Sequence, residues 1–110
     1  MTHHLLSSSS IHGDSVKNHS GEDLGNIEDL MVNLNDGHIE YAVLSFGGFL
    51  GMGDKYFAVP FERLTVDEKN ECMVLNVDKE LLKDAPGFDK DNWPNFADPT
   101  FKQTISSYYQ

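Results

Sequence analysis

Apolar residues in this chain come in short runs broken by glycine, asparagine and aspartate, the rhythm of strands and turns rather than of long helices. Over 27–34 the pattern is two-sided. Ile27, Leu30, Met31 and Leu34 fit a helical stripe, whereas Leu30, Val32 and Leu34 fit a strand. The next segment decides between them. Asp36-Gly37 stands between two apolar runs, a strong hairpin signal, so 27–34 is expected to pair antiparallel with 38–46. In the second strand Ile39, Tyr41 and Val43 point one way, and Ala42, Leu44 and Phe46 the other. Both faces of that strand need cover.

The flanking segments continue the pattern. Residues 1–9 read as a flexible lead, and "SIHGDSVKN" as a short first strand broken at Gly13. Ser20-Gly21 suits a tight reversal, and Gly25 marks a bulge or a close backbone approach. "KYFAVPF" is a strand that Pro60 ends or confines to an edge, because proline offers no N–H to a ladder. "CMVLNV" is a further strand. In "DKELLKDAP", Asp78 caps a short helix, Leu81 and Leu82 pack, and Pro86 stops it. The tail carries Phe88, Trp93, Phe96, Phe101, Tyr108 and Tyr109, with prolines that forbid one long helix. Rings at that density are expected to dock on something.

The fold class is therefore mainly β: a small antiparallel barrel with a short helix and an aromatic-rich C-terminal tail. Three segments are expected, a lead over 1–9, the barrel domain over 10–87 and an extension over 88–110 that docks on the barrel or on a partner.

Charge narrows the partners. Eighteen acidic residues against eight basic ones give a formal charge of −10. That balance argues against nucleic acid, whose phosphates demand concentrated Lys and Arg, and against anionic membrane surfaces. No stretch has the length of a membrane span, and "MTHHLL" lacks the basic and apolar regions of an export signal, so the expected compartment is the cytoplasm. The single cysteine, Cys72, lies among apolar residues and reads as a buried strand position.

"FGGFLGMGDKYFAVPF", residues 46–61, raises the one question of cofactor chemistry. Gly48 and Gly53 have the separation of a phosphate-cradling loop. However, Asp54 stands where that loop needs lysine, Tyr56 replaces the metal-binding hydroxyl, and a strand rather than a helix follows. The stretch reads instead as a structural loop carrying Phe49 and Leu50, and no cofactor is expected. His3, His4, His12, His19 and His38 lack the spacing of a zinc centre. The pairs Glu22-Asp23 and Glu28-Asp29 split between opposite faces of a strand and make no carboxylate dyad. Asp89, Asp91 and Asn92 lack the glycine and terminal glutamate of a calcium loop. No catalytic or metal-binding residue is expected.

Residues 21–64, from "GEDLGNIEDL" through the Asp-Gly hairpin to "AVPFERL", together with "VLNVDKELLKDAPGF" at 74–88, resemble the PRC-barrel family. That family includes domains similar to the cytoplasmic domain of the photosynthetic reaction-centre H subunit and to the C-terminal domain of the bacterial ribosome-maturation factor. The resemblance implies that Gly21, Gly25, Asp29, Gly37, Gly48, Pro60 and Leu64 serve the fold; the reading of 47–54 as a structural loop adds Gly53. The resemblance also implies a free-standing single-domain subgroup and a docking role rather than catalysis. An accessory role in ribosome assembly or membrane electron transport is the alternative, and an enzyme with an unrecognised site the remote one. The expected assembly is a homodimer or a complex with a protein partner, with Phe46, Phe49, Leu50, Phe88, Trp93 and Phe96 at the interface.

Overall fold

The structure, a computed structural model, describes residues 7–46, 55–67, 69–70, 72–83, 85, 87–89 and 92–109. Seven strands make one sheet: β1 (Ser15–Lys17), β2 (Asp23–Val32), β3 (Ile39–Phe46), β4 (Lys55–Pro60), β5 (Leu64–Asp67), β6 (Cys72–Leu75) and β7 (Gly87–Asp89). Their order is β5-β6-β1-β2-β3-β4-β7. All neighbours are antiparallel except β1 and β6, which run parallel with Val16 opposite Met73.

The β2–β3 hairpin is the one that Asp36-Gly37 predicts. Asn33 N–H donates to His38 O at 2.8 Å and Gly37 N–H to Asn33 O at 2.7 Å. Gly37 takes φ +80°, a left-handed conformation unfavourable to a side chain. Turn chemistry thus outweighs the helical spacing of 27–34, which is strand as far as Val32. Asp29 lies where the β2–β3 register shifts, and its carboxylate accepts from Leu30 N–H at 2.8 Å. Pro60 ends β4 opposite Tyr41, and Leu64 opens β5 opposite Leu75. Gly21 closes the turn before β2, its N–H donating to Asn18 O at 3.0 Å. The buried Asn18 side chain binds that turn to Val77 O at 3.1 Å.

Two expectations need correction. The sheet is open: β5 and β7 stand at its two ends and do not pair with each other. The tail strand β7 occupies the outer edge of β4, the edge through which a closed barrel would have to continue. The first strand is also shorter than expected. Ser8–Ile11 forms one helical turn, α1, and only Ser15–Lys17 is extended. Ser7 caps that turn, its hydroxyl and carbonyl both accepting from Ser10 N–H at 3.1 Å.

In paired strands, directly opposed residues share a face. Ala42 and Val59, then Leu44 and Phe57, face the main core, which Val16, Leu24, Ile27, Met73 and Leu75 complete. Leu82 of α2 (Lys79–Lys83) packs there as well. Tyr41, Val43 and Ser45 with Pro60, Ala58 and Tyr56 form the opposite face. The tail holds one short helix, α3 (Pro99–Tyr108), which starts at the last of its prolines and which the sequence reading did not place. Asp98 caps it by accepting from Thr100 N–H at 2.9 Å, and Pro99 fits its first position. Ile105 and Tyr109 anchor this end of the chain in the core.

Candidate functional site

The two-faced strand singled out in the sequence is β3, and the chain covers both of its faces itself. Residues 41–44 are buried. On the outer face the tail lays aromatic rings over Tyr41 and Tyr56. Tyr41 meets Phe96 and Phe101 at ring-centroid distances of 5.7 and 6.0 Å. Tyr56 meets Phe88 at 6.0 Å and Trp93 at 5.7 Å, both edge-on. Phe88 and Trp93 lie 5.2 Å apart, and Phe96 touches both. Such steep ring contacts set the positive edge of one ring against the negative face of the next, which fixes the cluster's geometry beyond simple burial.

The cluster is not sealed. Trp93 keeps 38% of its surface in contact with solvent. Beside Phe96 a groove of about 300 Å³ opens, with Met31, Val32 and Tyr41 in its wall. Val32 is 51% exposed and Leu34, just beyond it on the hairpin, is 91% exposed. The polar rim of the groove is one linked unit. Glu40 accepts from Asn33 Nδ2 at 2.8 Å and pairs with Lys102 Nζ at 3.1 Å, tying α3 to β3. The Asn33 amide first, and then Lys102, holds the Glu40 carboxyl below the usual carboxylate range. Burial, reinforced by the Glu40 charge, pushes the Tyr41 phenol up.

Of the expected interface residues, the structure brings Phe88, Trp93 and Phe96 together. Phe46 is elsewhere: its ring lies 6.3 Å from Phe57 on the core-facing side, with the Lys79 ammonium 5.6 Å above it. Phe49, Leu50, Gly48 and Gly53 lie outside the described residues. Sequence reasoning did not pick out Tyr41, Tyr56, Glu40 or Lys102 as site residues. The signal for Tyr41 was present in the strand's second apolar face, but nothing local said what would cover it.

The aspartate of each acidic pair serves the backbone. Asp23 accepts from Gly25 N–H at 3.0 Å, as Asp29 does from Leu30. Cys72 is buried in β6. Among the described residues no three His, Cys, Asp or Glu side chains gather, and no helix is long and apolar enough to cross a membrane. No curated protein matches the chain. The model of one protein family does match, over residues 3–82. That span holds β1 to β6 and most of α2, and it stops short of β7 and α3. On a match of that extent, the chain belongs to the PRC-barrel domain family.

Proposed function

We propose that this chain is a non-catalytic module whose work is to bind another protein molecule, with a second copy of itself as the first candidate. PRC-barrel domains are generally non-catalytic. The observation that carries the reading is the outer face of β3 and β4: an aromatic cluster with Trp93 38% exposed, beside a groove walled by Met31, Val32 and Tyr41, with the exposed Leu34 next along the hairpin. Clustered aromatics next to an apolar hollow are the usual material of interface centres. The sequence argued for a dimer from the uncovered face of 39–46. The chain's own tail supplies that cover, so a second copy would sit on the rim of the cluster instead. We place the module in the cytoplasm, where a lone cysteine stays a thiol.

Sedimentation velocity at rising micromolar concentration tests the self-association. The expected result is a concentration-dependent dimer that Trp93→Ala or Leu34→Asp returns to monomer with the circular dichroism of the sheet unchanged. A monomer mass that holds at all concentrations removes the second copy as partner. Docking on another protein then rests on capture from host extract that the wild-type chain achieves and Leu34→Asp loses.

A further inference from the structure

Strand β7 is short and mostly exposed. It is three residues long, Gly87 and Asp89 are exposed and Phe88 is only half-buried. Buried anchors lie on either side of it in the chain, Ala85 before and Ile105 after. Its pairing with β4 stops at Phe57, although β4 runs on to Pro60. It also lies outside the stretch that matches the family, which ends at residue 82. Among the described residues of that matched stretch only β3 pairs with β4, and three residues of the tail fill its outer edge.

The fit of those three residues is specific. Gly87 lies opposite Phe57, where an added Cβ would meet Tyr56 O at 2.8 Å, Lys55 Cε at 2.7 Å and Phe57 Cε1 at 3.2 Å. Only a residue without a side chain passes there. Phe88 lies opposite Tyr56 and packs edge-on against its ring at 6.0 Å. Asp89 lies opposite Lys55, so the cross-strand pair carries opposite charges. The edge thus selects small, then aromatic, then acidic, in a chain running antiparallel to β4.

We propose that the outer edge of β4 is a strand-addition site, that Gly87–Asp89 occupies it as a tethered competitor, and that the partner displacing it is an extended segment of glycine–aromatic–acidic pattern on another protein. The proposal rests on the docking reading and names the chemistry of its partner. Strand addition draws its affinity from main-chain hydrogen bonds and its selectivity from alternate side chains. The charge of Lys55 and the space at Phe57 supply that selectivity here. Displacing β7 leaves the anchors Ala85 and Ile105 in the core, so the exchange does not require the domain to unfold.

Two measurements on the full-length chain test this. Native-state hydrogen exchange is expected to show the amides of 87–89 opening about 100-fold more readily than those of 42–44. Exchange of both groups in step overturns the proposal, because β7 is then part of the global fold. In the second, an acetylated heptapeptide of sequence GFDKDNW is titrated by fluorescence anisotropy into the wild-type chain and into Phe88→Ala, whose own strand competes less well. Binding to Phe88→Ala is expected to be tighter by about tenfold, and to be lost when the peptide's glycine becomes valine or its first aspartate lysine. Binding to neither chain, or binding indifferent to those two changes, overturns the proposal. If Phe88→Ala does not fold, the exchange measurement on the wild-type chain decides alone. Should the peptides fail while Leu34→Asp still abolishes association, docking stands and the β4 edge has no part in it.

Discussion

Replacing Gly25 with alanine should be among the most damaging single-methyl changes in this protein. Gly25 sits in β2 between two strands, opposite Val16 of β1 at a register shift, with φ +112°. A Cβ built there meets Ser45 O of β3 at 2.3 Å and Ser45 C at 3.1 Å. Two costs combine. An L-residue held in the left-handed region costs about 1–2 kcal/mol. The contact is with backbone, so no rotamer change relieves it, and β2 must move away from β3 by about 1 Å to reach ordinary van der Waals contact. Such a movement disturbs one or two ladder hydrogen bonds at about 1 kcal/mol each. The sum is about 3 kcal/mol, a large share of the stability of a small domain. With a urea m-value of about 1.5 kcal/mol/M, the unfolding midpoint should fall by about 2 M. Gly37→Ala is the control. It has φ +80° but nothing within 4 Å of the added carbon, so it carries only the conformational cost, about 1 kcal/mol. Urea titrations followed by tryptophan fluorescence compare the two. Equal midpoint shifts, or an unshifted Gly25→Ala, would show that the close approach to Ser45 does not constrain the sheet.

Tyr109→Phe removes a buried hydroxyl that has no hydrogen-bond partner among the described residues, so it should leave stability unchanged or raise it by about 1 kcal/mol; a clear drop in melting temperature would contradict this. Asp98→Ala strips the cap from α3 and should cost about 1 kcal/mol, with Asp98→Ser recovering most of it in the same melt. Glu40 has a depressed carboxyl pKa, so its contribution is complete above the ordinary value of 4.5 and is lost as pH falls through the lower folded value. Glu40→Gln should therefore show a shallower loss of stability below pH 4.5 than the wild type, and identical acid-unfolding curves would exclude a role for Glu40.

What the sequence makes legible is local. Asp36-Gly37 announces its hairpin because the turn and both strands lie within one short stretch, and the apolar pair Leu81 and Leu82 announces α2 in the same way. β5 escaped notice because "LTVD" is four residues long and becomes a strand only by pairing with β6. α3 was overlooked because the tail prolines were read only as breakers. Asp98-Pro99 was the available signal, a capping residue followed by a proline at the first helical position, and it starts a helix. The aromatic cluster was half legible. The outer face of β3 asked for a cover and the rings of Phe88, Trp93 and Phe96 were legible as its supply, but whether they come from the same chain or a neighbour is decided by long-range packing that no local pattern encodes. Openness of the sheet is of the same kind, since it turns on which segment takes the edge of β4.

The parallel pair of β1 and β6 bears on how the molecule is assembled as it leaves the ribosome. β1 lies in the interior of the sheet, yet it is synthesised before the other six described strands, and Met73, opposite its Val16, emerges long afterwards. β1, β2, β3 and β4 join in chain order as successive antiparallel neighbours, and β5 with β6 forms a separate hairpin. Three residues, Ser15–Lys17, weld the two parts together. Non-local pairings of this sort close late and slowly. Until Cys72–Leu75 arrives, the nascent chain presents an open backbone edge at what becomes the centre of its sheet. Pausing or truncation within that interval is the point in the protein's life at which edge-to-edge aggregation threatens it most.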